Sequence, residues 1–148
     1  EVPIARWGKK GFLNRLGDQL LLPENSNLKS LPVLEADFGS SQDMIAQYLL
    51  LAELLAPTDL KLIELQRDAV GAWQVKTASG VRIVLGRDQI IEKIRRLVVV
   101  WDSGLDIQLN NIATIDLRYP NGLAVSWRDQ NLVVSGLGHE SKTDSSAA

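Results

Sequence analysis

The sequence predicts an α+β fold: a mixed or antiparallel sheet with two amphipathic helices packed on it and a closing β-hairpin on the C-terminal side. Three observations predict it. Apolar residues recur at three-and-four spacing in two separate stretches, residues 44–55 and 90–101. Period-two alternation dominates the segments around them. An Asn121-Gly122 pair sits between two such segments, and Asn-Gly is among the strongest short hairpin signals. With 148 residues, 45% of them hydrophobic and 23% charged, the chain fits one domain with one core.

In chain order, Arg6-Trp7, Phe12-Leu13 and Gln19-Leu20-Leu21-Leu22 are short apolar pieces separated by Gly8, Gly11 and Gly17, the pattern of a small meander. Residues 23–30 are polar and rich in asparagine and serine, a loop, and Leu31-Pro32-Val33-Leu34 resumes the apolar pattern. Ser40 or Ser41 is placed to accept a bond from a free amide at the start of the first helix, and Asp43 suits the positive end of its dipole. Met44, Ile45, Tyr48, Leu49, Ala52 and Leu55 then share one face, and Pro57 stops the run. So short a stretch, with a start and a stop signal, reads as core and not as a membrane or partner helix.

From Leu60 the period becomes two. Residues 60–65 and 73–78 read as strands, and Ser79-Gly80 turns the second of them into Val81-Arg82-Ile83-Val84-Leu85. Gly86-Arg87-Asp88 opens a second helix with Asp88 as its expected cap. Ile90, Ile91, Ile94, Leu97, Val98 and Trp101 form its buried stripe, and Glu92, Lys93, Arg95 and Arg96 fall on the wet side. After a polar connection, residues 112–119 read as a strand, Pro120-Asn121-Gly122 as a turn with positive φ at its centre, and residues 123–127 as the antiparallel return. Residues 130–135 hold one more short strand pattern. From Gly136 to Ala148 the composition decays into glycine, serine, alanine and mixed charge, a disordered tail by composition.

The formal net charge of −2, from 16 basic against 18 acidic residues, provides no overall basic field for nucleic acid. No apolar run reaches the roughly 20 residues of a spanning helix. The chain opens on Glu1-Val2-Pro3-Ile4, without a methionine and inside an extended pattern, which suggests a fragment of something longer. Zero cysteines leaves out disulfides and thiolate metal sites. The single histidine, His139, lies in the weakly patterned tail, unsuited to a general base or a metal ligand held in place. No serine stands in a Gly-x-Ser-x-Gly elbow, and Gly136-Leu137-Gly138 lacks the third glycine and the following helix of a dinucleotide loop. Catalytic, cofactor and metal sites are therefore not expected. Carboxylate pairs acting on cell-wall glycan, or a glycan-binding surface, stand as the alternative class.

Several segments resemble the FtsQ/DivIB family of bacterial cell-division proteins. They are Val2-Pro3-Ile4-Ala5-Arg6-Trp7, the Phe12-Leu13-Asn14-Arg15-Leu16-Gly17 block, Leu31-Pro32-Val33-Leu34 and Ala72-Trp73-Gln74-Val75, in the family's order and spacing. Leu85-Gly86-Arg87 with its helix, and the segment from Ile115-Asp116-Leu117-Arg118-Tyr119-Pro120-Asn121-Gly122 through Leu123-Ala124-Val125-Ser126-Trp127, are similar to the family's closing hairpin nearly residue by residue. Two departures are Glu35-Ala36 where the family usually has a glycine, and Ser126 in place of the glycine often found before the last tryptophan. The resemblance implies an FtsQ-type β-domain over residues 1–127, beginning at the end of a POTRA-to-β junction, with residues 128–148 as an extension. POTRA domain and transmembrane helix would belong to the longer protein. It also implies a place on the periplasmic side of the inner membrane at the division septum, no cofactor, and FtsB and FtsL as divisome partners, FtsB docking by strand addition to the last strand.

The physics of the closing hairpin suits that role. A terminal strand has no later strand obliged to cover it, so Leu123, Ala124, Val125, Ser126 and Trp127 can offer unpaired backbone groups to a partner. Tyr119 and Trp127 are of the residue types enriched in interface hot spots, and Gly122 permits close backbone approach. Arg87 and Arg118 suit carboxylates on an incoming chain. Without the resemblance these residues read as cross-strand aromatics, a turn glycine and surface arginines. With it, all nine form the expected protein-binding site. Separately, the strand-forming Leu132-Val133-Val134 suggests that residues 130–135 pair transiently with an exposed edge, their own or that of another copy, and shield it until a partner arrives.

Overall fold

The computed structural model describes residues 2–9, 11–21 and 28–128. His139, the strand pattern at 130–135 and the rest of the extension from residue 129 onward fall outside them. The strands are β1 (Ala5–Trp7), β2 (Phe12–Leu13), β3 (Gln19–Leu20), β4 (Val33–Ala36), β5 (Leu62–Arg67), β6 (Trp73–Thr77), β7 (Arg82–Gly86), β8 (Ile112–Asp116) and β9 (Ala124–Trp127). The helices are α1 (Ser41–Leu55) and α2 (Ile90–Asp102), and a 3-10 segment spans Leu105–Asn111. The fold class is α+β, as the sequence predicts.

All nine strands form one sheet in the order β3-β2-β1-β4-β5-β6-β7-β8-β9. β4 pairs parallel with β1 and β5, and β7 pairs parallel with β8, while the remaining neighbours are antiparallel. α1 makes the crossover between β4 and β5, and α2 that between β7 and β8. Two crossovers running the same way along the strand order put their helices on the same face, where α1 and α2 pack together. Beneath them lie Leu34, Leu65, Val75, Ile83, Leu85 and Ile115, each fully buried. The alternate positions, among them Lys76, Arg82 and Ser126, stay exposed on the open face.

The start of α1 is as expected: the Ser40 hydroxyl accepts from the Asp43 amide at 3.1 Å. Ser41 is buried, and its hydroxyl donates to the Gly17 carbonyl at 2.8 Å, fastening the helix to the β2–β3 turn. Gly17 is obligatory there, since a Cβ would stand 2.6 Å from Gln42 Cα and its φ is +86°. Leu51 joins Met44, Ile45 and Leu55 in the core, a position the periodicity missed.

Three expectations in the second half are corrected. Asp88 does not cap α2: Gln89 holds the cap position with φ 54°, and no side chain bonds there. Lys93 is buried and not on the wet side, its stem lying against the sheet while its ammonium donates to the Leu85 carbonyl at 2.7 Å. The Asn121-Gly122 turn is not a two-residue hairpin turn. β8 ends at Asp116 and β9 begins at Ala124, and neither Asn121 nor Gly122 has a positive φ. The residues between form a wide loop shaped by hydrogen bonds from α2.

A candidate docking edge at the end of the sheet

Among the described residues β9 pairs with β8 alone, and no other described strand lies on its far side. The register sets Ile115 opposite Val125 and Asp116 opposite Ala124, with a bulge on β8 between Ile112 and Thr114. The Arg128 amide donates to the Asn111 carbonyl at 2.7 Å, so the backbone groups of residue 128 face β8. Backbone direction alternates along a strand. Ser126 and Ala124 therefore also face β8, whereas the amide and carbonyl of Val125 and of Trp127 point away from it.

Side chains on β9 alternate too. Leu123 and Val125 are buried in the core, and Trp127 is half-buried against it, opposite Ile112. Ser126 is exposed on the open face. Trp127 thus combines an outward backbone with an indole at the rim of the core. Tyr119 lies in the preceding loop, 50% exposed, a large aromatic surface without full cover. Gly122 has nothing within 4 Å of where a Cβ would stand, so the space beside it is open.

The loop is held by a residue the sequence reading assigned to solvent. From α2, Arg96 Nη1 donates to the carbonyls of Tyr119 at 2.9 Å and Gly122 at 2.7 Å, and Nη2 to that of Pro120 at 3.1 Å. Three carbonyls of an irregular segment need donors, and one planar guanidinium supplies them. At the far end of β9, Arg128 Nη2 donates to the Ser79 carbonyl at 2.8 Å.

Arg118 is already paired within the chain. Its guanidinium makes a forked contact with Asp116, Nη2 to Oδ2 at 2.8 Å and Nε to Oδ1 at 3.0 Å. That hydrogen bond holds the Asp116 carboxyl below the usual carboxylate range. Arg118 stays largely exposed, so a partner carboxylate would meet a pair and not a lone cation. The stem of Arg118 also explains the glycine of Leu85-Gly86-Arg87: Gly86 has φ +80°, and a Cβ there would stand 3.3 Å from Arg118 Cγ and 3.5 Å from Lys93 Nζ.

Arg87, by contrast, is not part of this loop. It lines an open groove of about 480 Å³ with Arg67, Trp73, Asp88 and Gln89, between the N-terminal turns of the two helices. Arg67 in that groove is stacked between the rings of Phe38 and Trp73, at 4.5 and 4.7 Å. The structure therefore gathers Arg118, Tyr119, Gly122 and residues 123–127 at one edge, while Arg87 lines the groove and follows the Gly86 that meets the Arg118 stem. Arg96 and Arg128 are the additions. Their bonds go to backbone carbonyls many residues away, which no side-chain pattern encodes.

The family model for "Cell division protein FtsQ/DivIB, C-terminal" matches residues 5–118, reaching from β1 through β8 and stopping just before Tyr119. The chain is 41% identical over 127 residues to the cell division protein FtsQ of Cellvibrio japonicus, covering 86% of this chain and 40% of that protein. It is 36% identical over 129 residues to the FtsQ of Xanthomonas campestris, covering 87% of this chain and 46% of that protein. The FtsQ of Methylomonas methanica is 32% identical over 128 residues, with 86% of this chain and 51% of that protein covered. The chain thus spans about half the length, or less, of these relatives.

Proposed function

Because this chain belongs to the FtsQ/DivIB family of cell division proteins, we propose that it is a non-catalytic docking domain of the divisome, binding FtsB, with FtsL, by strand addition to β9. The single observation that carries this reading is that β9 pairs on one side only among the described residues, with outward amides and carbonyls at Val125 and Trp127. Tyr119 and Trp127 flank that edge as aromatic anchors, and Gly122 leaves room for a second backbone. Arg118 recruits acidic side chains of the partner in exchange with Asp116, and Arg87 does so from its groove. Through this contact the protein regulates septal peptidoglycan synthesis from the periplasmic side of the inner membrane. The rest of the full-length protein holds the POTRA domain and the single membrane anchor. Among the described residues no helix is long and apolar enough to cross a membrane.

Calorimetric titration with the periplasmic part of FtsB tests the reading. The unaltered chain binds, and Trp127→Ala and Tyr119→Ala each weaken binding roughly 30-fold or more, about 2 kcal/mol, while circular dichroism stays unchanged. Equal affinity in both folded variants removes the anchors, and no binding by the unaltered chain removes the docking edge.

A further inference from the structure

We infer that Arg96 and Arg128 are positioning residues for the incoming strand, clasping β9 at its two ends so that it meets a partner already extended; this rests on the docking reading above. β9 has four residues and a pairing neighbour on one side only, among the described residues. Such a strand frays unless something other than its ladder restrains it, and any fraying must be reversed when a partner strand adds.

The two restraints come from unrelated parts of the chain. Arg96 reaches from the middle of α2 to the loop ahead of β9, and its three carbonyl contacts fix the segment that carries Tyr119. Arg128 reaches past β8 to the β6–β7 turn, a contact 49 residues back in the sequence. The turn is shaped to receive it: Gly80 has φ +90°, and a Cβ there would stand 2.8 Å from Arg128 Nη2. Among the described residues neither guanidinium enters an ion pair, so both are spent on backbone carbonyls. Each clasp leaves the outward groups of Val125 and Trp127 untouched. Pre-organisation of this kind raises affinity by lowering the ordering cost and not by adding a contact to the partner.

The test compares Arg96→Met, Arg96→Lys, Arg128→Met and, as a control, Ile94→Val, a core truncation in the same helix. Affinity for the periplasmic part of FtsB is measured by calorimetry, and backbone order of residues 119–127 in the free chain by ¹⁵N relaxation. Arg96→Met is expected to weaken binding about tenfold and Arg128→Met severalfold, both with lowered order in the strand or loop. Arg96→Lys retains charge but not the fork, and falls between the unaltered chain and Arg96→Met. Ile94→Val lowers stability without moving affinity or order. Unchanged affinity in both methionine variants overturns the inference, as does an equal loss in Ile94→Val, which would reduce the effect to general stability. Absence of binding by the unaltered chain is a different result: it overturns the docking reading itself, and the clasps with it.

Discussion

At one end of the sheet β3 offers two residues, Gln19 and Leu20, and at the other β9 offers four, fastened at both ends by arginines. Both strands belong to the same sheet, but β9 sends Val125 into the core while neither residue of β3 is buried. They differ in length and in restraint. A very short edge gives an added strand little to pair with, which is one way proteins blunt unwanted association. A longer edge held straight by side chains from elsewhere does the reverse. The two edges thus differ in more than position, and the restraints on β9 come from outside it, from α2 and from the contact of Arg128 with the β6–β7 turn.

The largest expected effect abolishes the contrast altogether. Leu65 is fully buried at the centre of the sheet, and Leu65→Ala should cost about 2–5 kcal/mol, read as a lower denaturation midpoint. Both edges then lose their support together.

The next pair sets one edge against the other. Val125→Pro removes an outward amide while sparing those that face β8, a place where edge strands tolerate proline. It should abolish detectable FtsB binding at a stability cost of about 1–3 kcal/mol from lost packing. Leu20→Lys on β3 should leave the affinity unchanged. Equal losses in calorimetry would show that the edges are not distinct.

A smaller effect is expected at Gly80. Gly80→Ala places a side chain at φ +90° and displaces Arg128, which should cost about 1–2 kcal/mol in a melt and weaken FtsB binding a few-fold. Loss of stability without any change in affinity would separate the turn from the docking edge.

The smallest concerns pH. With its pKa depressed by Arg118, the folded-state Asp116 carboxylate contributes stability that is present above its ordinary value of 3.8 and is lost as pH falls through the depressed value. Asp116→Asn should therefore flatten the acid limb of the stability curve while leaving β3 untouched. An unaltered acid limb would assign it to other carboxylates.

Much of the fold could be read from the sequence, because its strongest signals are local. The stripes of α1 and α2 and the Ser40 cap need only a few turns of chain. Lys93 and Arg96 were misread because a polar residue on a helix normally marks the wet side, whereas these two bond to backbone carbonyls of other elements. The Asn121-Gly122 signal was misread for a related reason. Turn propensity assumes a closed two-residue loop, and a guanidinium from α2 holds this one wide. Of the candidate site, residues 118–127 were singled out through their resemblance to known relatives. The outward backbone polarity of Val125 and Trp127 followed only from the Arg128 to Asn111 bond, and Arg87 was found lining the groove between the helices.

The strand order carries one more consequence, for timing during synthesis. From β4 onward each new strand is laid beside the one made just before it, so the sheet can grow in the order in which the chain emerges. Until β9 arrives, the outermost strand is β8, which lacks the Tyr119 loop and both clasps. The edge formed by β9 is the last described piece to be made, so a partner that bound there would meet a sheet already laid down from β4 to β8.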